Sequence, residues 1–329
     1  MTSRAVSASA LLRARLTLMQ VALIRIGWIG ALVGFAAMTL TMPGGDDGFN
    51  FYLRPYWSGA TAPAWVFLFT APAAPLLWPL RWTVLVVVSL LVAVWARRAI
   101  GDQRWWILLF SHAFVVNLWM GQIEVFPIAG VALSWLVMQR RIHPAWFGIA
   151  ILALMTKVQV GAGLALLFTF WIWREQGWRS LVWGAGTALA ALAVTVLIYP
   201  DWPVRYLGAL GALSPQNQIW NASVFPLGLL AIPLAFYPGD IGKIRRARMV
   251  ACITLLASPY FAWYHPSTAL LLETRGPMMW LSWLDALPRI LFGYKQNGWI
   301  VLLIMLSWDV WQIWRERQRL RQPANLNTF

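Results

Sequence analysis

Apolar stretches of bilayer length, separated by short clusters of arginine and lysine, constrain this 329-residue chain more than any other feature. A run of about 18 apolar residues or more must be covered on all sides, and hydrocarbon covers it most simply. With 60% of residues apolar and a mean hydropathy of +0.64, the runs are too many for one water-soluble core. The expectation is an all-α polytopic integral membrane protein, a single transmembrane domain over residues 1–329 with no room for a separate soluble domain.

The basic clusters orient it. Lys and Arg number 26 against 11 acids, for a net charge of +15. In a soluble chain that excess would suggest nucleic acid. Here it falls between apolar segments, at Arg97-Arg98, Arg140-Arg141, Arg174 with Arg179, Lys243 to Arg248, and Arg315 to Arg321, so it marks cytoplasmic loops and no nucleic-acid partner is expected. Placing every cluster inside predicts about ten helices, over 19–42, 82–96, 105–120, 122–138, 145–157, 160–173, 180–199, 224–238, 247–264 and 297–314. Residues 1–18 and 315–329 are then a cytoplasmic N-terminus and tail. Residues 43–81 and 200–223 become extracytoplasmic loops. Within the first loop, residues 63–79 carry four prolines and read as a re-entrant or interfacial segment. Residues 266–296 fit no simple crossing. The 24 tryptophans suit interfacial belts.

Ionisable groups inside such a chain are costly, so each is a candidate for function. Asp46 and Asp47 follow the first apolar run in GGDDGFNFYLRPYW, among glycines that let backbone approach a substrate. Either can serve as a general base, and a solvated turn is the plainer alternative. Lys157 stands in apolar surroundings with Gln159 beside it, suited to holding a phosphate or to snorkelling from a short helix end. Glu124 and Gln122 lie at the Gly121-Gln122 break, where Glu124 can pair with Lys157 or His265. His265, after Tyr264, closes an apolar segment and can bind phosphate or move a proton. Tyr52 and Arg54 in the first loop and Arg205 and Asn221 in the second complete the group gathered at the outer helix ends, the two arginines as secondary candidates for anion contact. A single cysteine and three scattered histidines predict no metal centre and no intramolecular disulfide. No phosphate-binding loop, dinucleotide fingerprint or nucleophile elbow occurs, and no cofactor is expected.

The order of these pieces resembles the membrane-embedded GT-C glycosyltransferases, specifically the polyprenyl-phosphate-mannose-dependent enzymes of glycosyltransferase family 87. The stretches that carry the resemblance are DDGFNFYLRPYW with the Pro-rich segment after it, GQIEVFPIAG, ALMTKVQVGAG, and NASVFPLGLL with ASPYFAWYH. The resemblance implies a GT-C-like bundle in a bacterial cytoplasmic membrane with its active site facing outside. It also implies a polyprenyl-phosphate sugar as donor, mannose favoured, and a lipid or glycan as acceptor. Asp46 or Asp47 would activate the acceptor hydroxyl, and Lys157 and His265 would lie near the lipid phosphate. Two other classes stay open on the residues alone: a transporter or flippase of an isoprenoid lipid or anion, and a non-catalytic membrane subunit.

Overall fold

Glycine and proline decide where the helices stop. The computed structural model describes residues 29–53, 62–102, 104–212, 221–287 and 298–321, with a few single positions besides. Among the described residues every regular element is helical. Helix α1 is Ile29–Thr41, followed by a π-turn at Gly48–Tyr52. The Pro-rich segment gives only α2, Val66–Thr70, and a 3-10 turn at Ala71–Ala73. Helix α3, Leu80–Ala99, is continuous, and α4 is His112–Met120. Next come α5, Val125–Met138; α6, Trp146–Leu154; α7, Val158–Gln176; α8, Trp178–Ile198; and α9, Trp202–Ala212. The last third holds α10, Ile232–Ala235; α11, Lys243–Leu256; α12, Ser267–Leu271; α13, Gly276–Leu281; and α14, Trp299–Arg321.

Three helical stretches are long and apolar enough to cross a membrane: Leu80–Ala99, Trp146–Gln176 and Trp178–Ile198. They make the chain compatible with a membrane protein. Of the other expected helices, 122–138 and 297–314 correspond to α5 and α14, and three need correction. The 105–120 helix is divided at Ser111, whose backbone is extended and whose hydroxyl oxygen caps α4 by accepting from the Phe114 N–H. The 224–238 helix is reduced to a 3-10 turn at Leu227–Ala231 and the four residues of α10, because Pro226, Pro233 and Pro238 withhold three N–H donors. The 247–264 helix begins earlier and stops at Leu256, ahead of Pro259. Most of 19–28 lies outside the described residues.

The stretch 146–176 does not run straight. Lys157 is extended (φ −133°, ψ 92°), and the chain reverses there. Gln176 at the end of α7 donates to the Val137 and Met138 carbonyls at the end of α5, while Lys157 sits beside Glu124 at the start of α5. Thus α5 and α7 run in parallel and α6 returns between them. The turn is so tight that a Cβ on Gly161 would lie 2.1 Å from the Leu154 carbonyl oxygen. Gly148 and Gly184 allow α6 and α8 to touch in the same way, with a Cβ on Gly148 2.2 Å from the Gly184 oxygen. Helix α8 leaves its other side bare, with Leu189 and Leu197 65% and 82% exposed, a surface that water would not tolerate and lipid would.

Residues 266–287 resolve the segment that fits no simple crossing. From His265 the chain runs inward through α12 to Glu273, which meets Arg248 and Arg275. It turns at Gly276 and comes back through α13 to Asp285, whose carboxylate accepts from the Val301 N–H near the start of α14. The excursion returns to the side it left, so the direction of α14 is preserved.

Candidate active site

The first-loop glycines bring backbone against backbone. Gly45 (φ +74°) and Gly121 (φ +67°) both occupy the left-handed region, and a Cβ on Gly121 would lie 3.0 Å from the Gly45 Cα. The Gly45 N–H donates to the Trp119 carbonyl at 2.8 Å, and the Trp119 indole donates to Pro43 at 3.0 Å. Trp82 of α3 donates to the Leu118 carbonyl at 2.9 Å. The loop is thereby fastened to the end of α4, and Asp47, two residues past Gly45, faces Gln122, the residue after Gly121.

Gln122 is the link. Its Nε2 donates to Asp47 Oδ2, and its Oε1 accepts from Lys157 Nζ at 2.6 Å. Lys157 Nζ also lies 3.2 Å from Glu124 Oε1. The Tyr264 ring sits 4.6 Å from the ammonium and the Tyr52 ring 5.7 Å, so aromatic faces add to its coordination. Lys157, Glu124, Gln122 and His265 are each 95% buried or more. A charge so placed persists only with partners, and these are the partners.

His265 is oriented from behind. The Ala262 N–H donates to its Nδ1 at 2.9 Å, which leaves Nε2 to carry the proton of the neutral ring. Nε2 lies 3.4 Å from Glu124 Oε1 and 3.3 Å from Lys157 Nζ. Since an ammonium cannot accept, Glu124 is the acceptor that both donors approach. Its other oxygen takes the Thr268 hydroxyl at 3.4 Å. Burial raises the Asp47 acid above the usual carboxylate range. The Lys157 charge and the Gln122 hydrogen bond oppose that rise, and Asp46 adds a smaller push upward.

Seven of the candidates named from sequence therefore meet: Asp47, Tyr52, Gln122, Glu124, Lys157, Tyr264 and His265. The others do not. Asp46 is exposed. Gln159, half-buried on α7, takes no part in this network. Asn221 is a brace: its side chain accepts from the Ser223 and Phe261 N–H groups and donates to the Pro259 carbonyl, shaping the strand of loop before His265. Arg54 lies outside the described residues. Arg205 pairs with Asp201 at 3.3 Å on the surface.

Sequence reasoning missed two things. Thr268 carries no signal beyond its place three residues after His265. A second buried cluster, at the opposite end, joins Arg97 with Asp102, Arg248 with Asp309 at 2.5 Å, and Arg275 with Glu273. Asp309 in WIVLLIMLSWDVW was legible as a lone acid in an apolar run. An apolar groove of about 690 Å³ lies between Trp106, Phe110, Trp280 and Trp283, with Gly276 and Pro277 in its wall. Trp283 reaches the His112 ring at 5.1 Å, and that ring meets Trp263, beside Tyr264, at 5.3 Å. Among the described residues no group of three or more His, Cys, Asp or Glu is arranged to hold a metal ion.

Compared with protein-family models, curated proteins and solved structures, the chain matches none. The resemblance to glycosyltransferase family 87 therefore rests on its motifs, and function has to be argued from the cluster itself.

Proposed function

We propose that the chain is a membrane glycosyltransferase that moves a sugar, mannose favoured, from a polyprenyl-phosphate carrier to a lipid or glycan acceptor on the extracytoplasmic side. The observation that carries the reading is the pairing of a half-buried carboxylate, Asp47, with a buried ammonium, Lys157, through the single amide of Gln122. Asp47 takes the proton of the acceptor hydroxyl as that oxygen attacks the anomeric carbon. The bond from the anomeric carbon to the phosphate oxygen breaks, and polyprenyl phosphate departs, in one inverting displacement. A carboxylate whose affinity for protons burial has increased is a better base than an exposed one, which favours Asp47 over Asp46. Lys157 and His265 form the cationic and hydrogen-bonding wall toward the phosphate, and the apolar groove beside His112 offers the prenyl chain a lateral approach. The wider GT-C-like bundle of about ten crossings, with several short helices also in the membrane, belongs to this proposal.

The test is transfer of radiolabelled sugar from polyprenyl-phosphate-mannose in detergent. Asp47→Asn is expected to lower transfer by at least about a hundredfold, the usual contribution of a general base, and Asp46→Asn to keep most of it. Equal activity in Asp47→Asn and the unsubstituted protein would sink the assignment.

One feature favours a second reading, a transporter of an isoprenoid lipid or anion. Lys157 already has Gln122 and Glu124 as partners, as a coupling ion pair would. Turnover of a lipid-linked sugar in detergent, where no gradient exists, separates the two.

A further inference from the structure

A cavity of about 570 Å³ opens at the end of the molecule opposite the site, against the N-terminus of α11. Four cations line it, Lys243, Arg245, Arg248 and Arg275, and among the described residues no acid does. Their acidic partners stand behind them: Glu175 with Lys243 at 2.8 Å, Glu316 with Arg245 at 2.9 Å, Asp309 with Arg248, and Glu273 with Arg275. The first two pairs are solvent-exposed, and exposed pairs of that kind contribute little and exchange readily. One lining side chain holds a buried N–H donor that meets no acceptor, the indole Nε1 of Trp135; the Nη1 of Arg275 makes no hydrogen bond and lies 3.6 Å from Asp309 Oδ1. Trp135 is 95% buried and its donor has no partner in the protein. Helix α11 begins at Gly242 (φ +76°) with no side-chain cap, which leaves its first N–H groups to the same space. Donors, cations and a helix N-terminus converge on the cavity, with the carboxylates, Asp240 at the Gly242 N–H included, set behind or beside them rather than in its wall.

We propose that this cavity binds a phosphate group, either that of an anionic phospholipid from the cytoplasmic leaflet or a free phosphate ion. The wall also holds Ile241 and Ile244, apolar surface that would meet the glycerol and upper acyl carbons of a lipid. The site is remote from the Asp47 cluster and does not depend on the transferase reading.

The test uses the full chain in neutral detergent, reading the shift in thermal unfolding against added dihexanoyl-phosphatidylglycerol, inorganic phosphate, and dihexanoyl-phosphatidylcholine as the net-neutral control. Stabilisation that saturates with the glycerol lipid or with phosphate, and not with the choline lipid, is the expected result. Whichever of the two binds more tightly names the source. Lys243→Gln with Arg245→Gln should weaken that binding by at least about tenfold, since two charge-assisted contacts are lost. Trp135→Phe removes the indole N–H together with the smaller ring of the indole, and should weaken it by about fivefold. No anion-specific stabilisation overturns the proposal, and so does stabilisation that both variants retain in full. Size-exclusion profiles matching the unsubstituted protein keep a folding defect from being read as lost binding.

Discussion

Asp46 and Asp47 are adjacent in sequence and live in different surroundings, because the Gly45–Gly121 contact turns one toward Gln122 and leaves the other in solvent. Asp47 is a base only when ionised, so transfer should rise with pH through its elevated pKa and fall away on the acid side above the usual 3.8. Gln122→Leu removes a hydrogen bond that lowers that pKa, and the acid limb of the rate profile should move to higher pH; a limb that stays in place argues that Asp47 is not the titrating group. The same shift has a sign for stability. A folded pKa raised above the unfolded one stabilises below the unfolded value, and that share is lost as pH rises through the folded value. At pH 7 Asp47→Asn should therefore melt no lower than the unsubstituted protein, which separates lost chemistry from lost folding. Lys157 and Glu124 behave oppositely. Removing either partner of a buried pair costs about 3–5 kcal/mol. Lys157→Met and Glu124→Leu together should cost less than the sum of the two singles in thermal unfolding, and strict additivity would mean the pair is not coupled.

At the level of elements, the hairpin of α6 and α7 delivers Lys157. Its reversal depends on Gly161, where a Cβ would fall 2.1 Å from one backbone atom of Leu154 and 2.5 Å from another. Backbone cannot yield as a side chain can, so Gly161→Ala should cost about 1–3 kcal/mol and displace the ammonium. A lower melting temperature together with lost transfer is expected; unchanged melting would mean that α6 and α7 do not fold back here. The short segments were the hardest to read. Prolines at 226 and 233 divide an apolar stretch that hydropathy alone joins into one helix. The α12–α13 excursion was illegible because its apolar residues, Ala269 to Leu272, are buried by protein rather than by lipid, and composition does not tell those apart.

Across the whole molecule, two buried charge clusters stand at opposite ends of an apolar interior. The first gathers Asp47, Lys157, Glu124 and His265. The second ties α3, α11, α14 and the turn after α12 through Arg97, Arg248, Asp309 and Glu273. If the basic end is cytoplasmic, a membrane-impermeant maleimide should label Asp46→Cys in intact cells and Arg319→Cys only after permeabilisation, both made in a Cys252→Ala background. Cys252 is fully buried, so that background removes only a hidden thiol. Labelling in the reverse order would invert the orientation and place the Asp47 cluster inside.

The sequence by itself determined the class of fold, helices throughout with stretches long and apolar enough to cross a membrane, and it named the ionisable residues worth attention because each is expensive in apolar surroundings. It did not determine which of them meet. Lys157, Gln122, Asp47 and His265 are separated by up to 218 positions, and nothing local to any of them encodes the others. Their convergence follows from tertiary structure: a chain reversal at Lys157, a glycine contact at Gly121, and a histidine held from behind by the Ala262 N–H. Buried polar groups select partners only when the backbone brings them within a few ångströms, and only the packed helices do that.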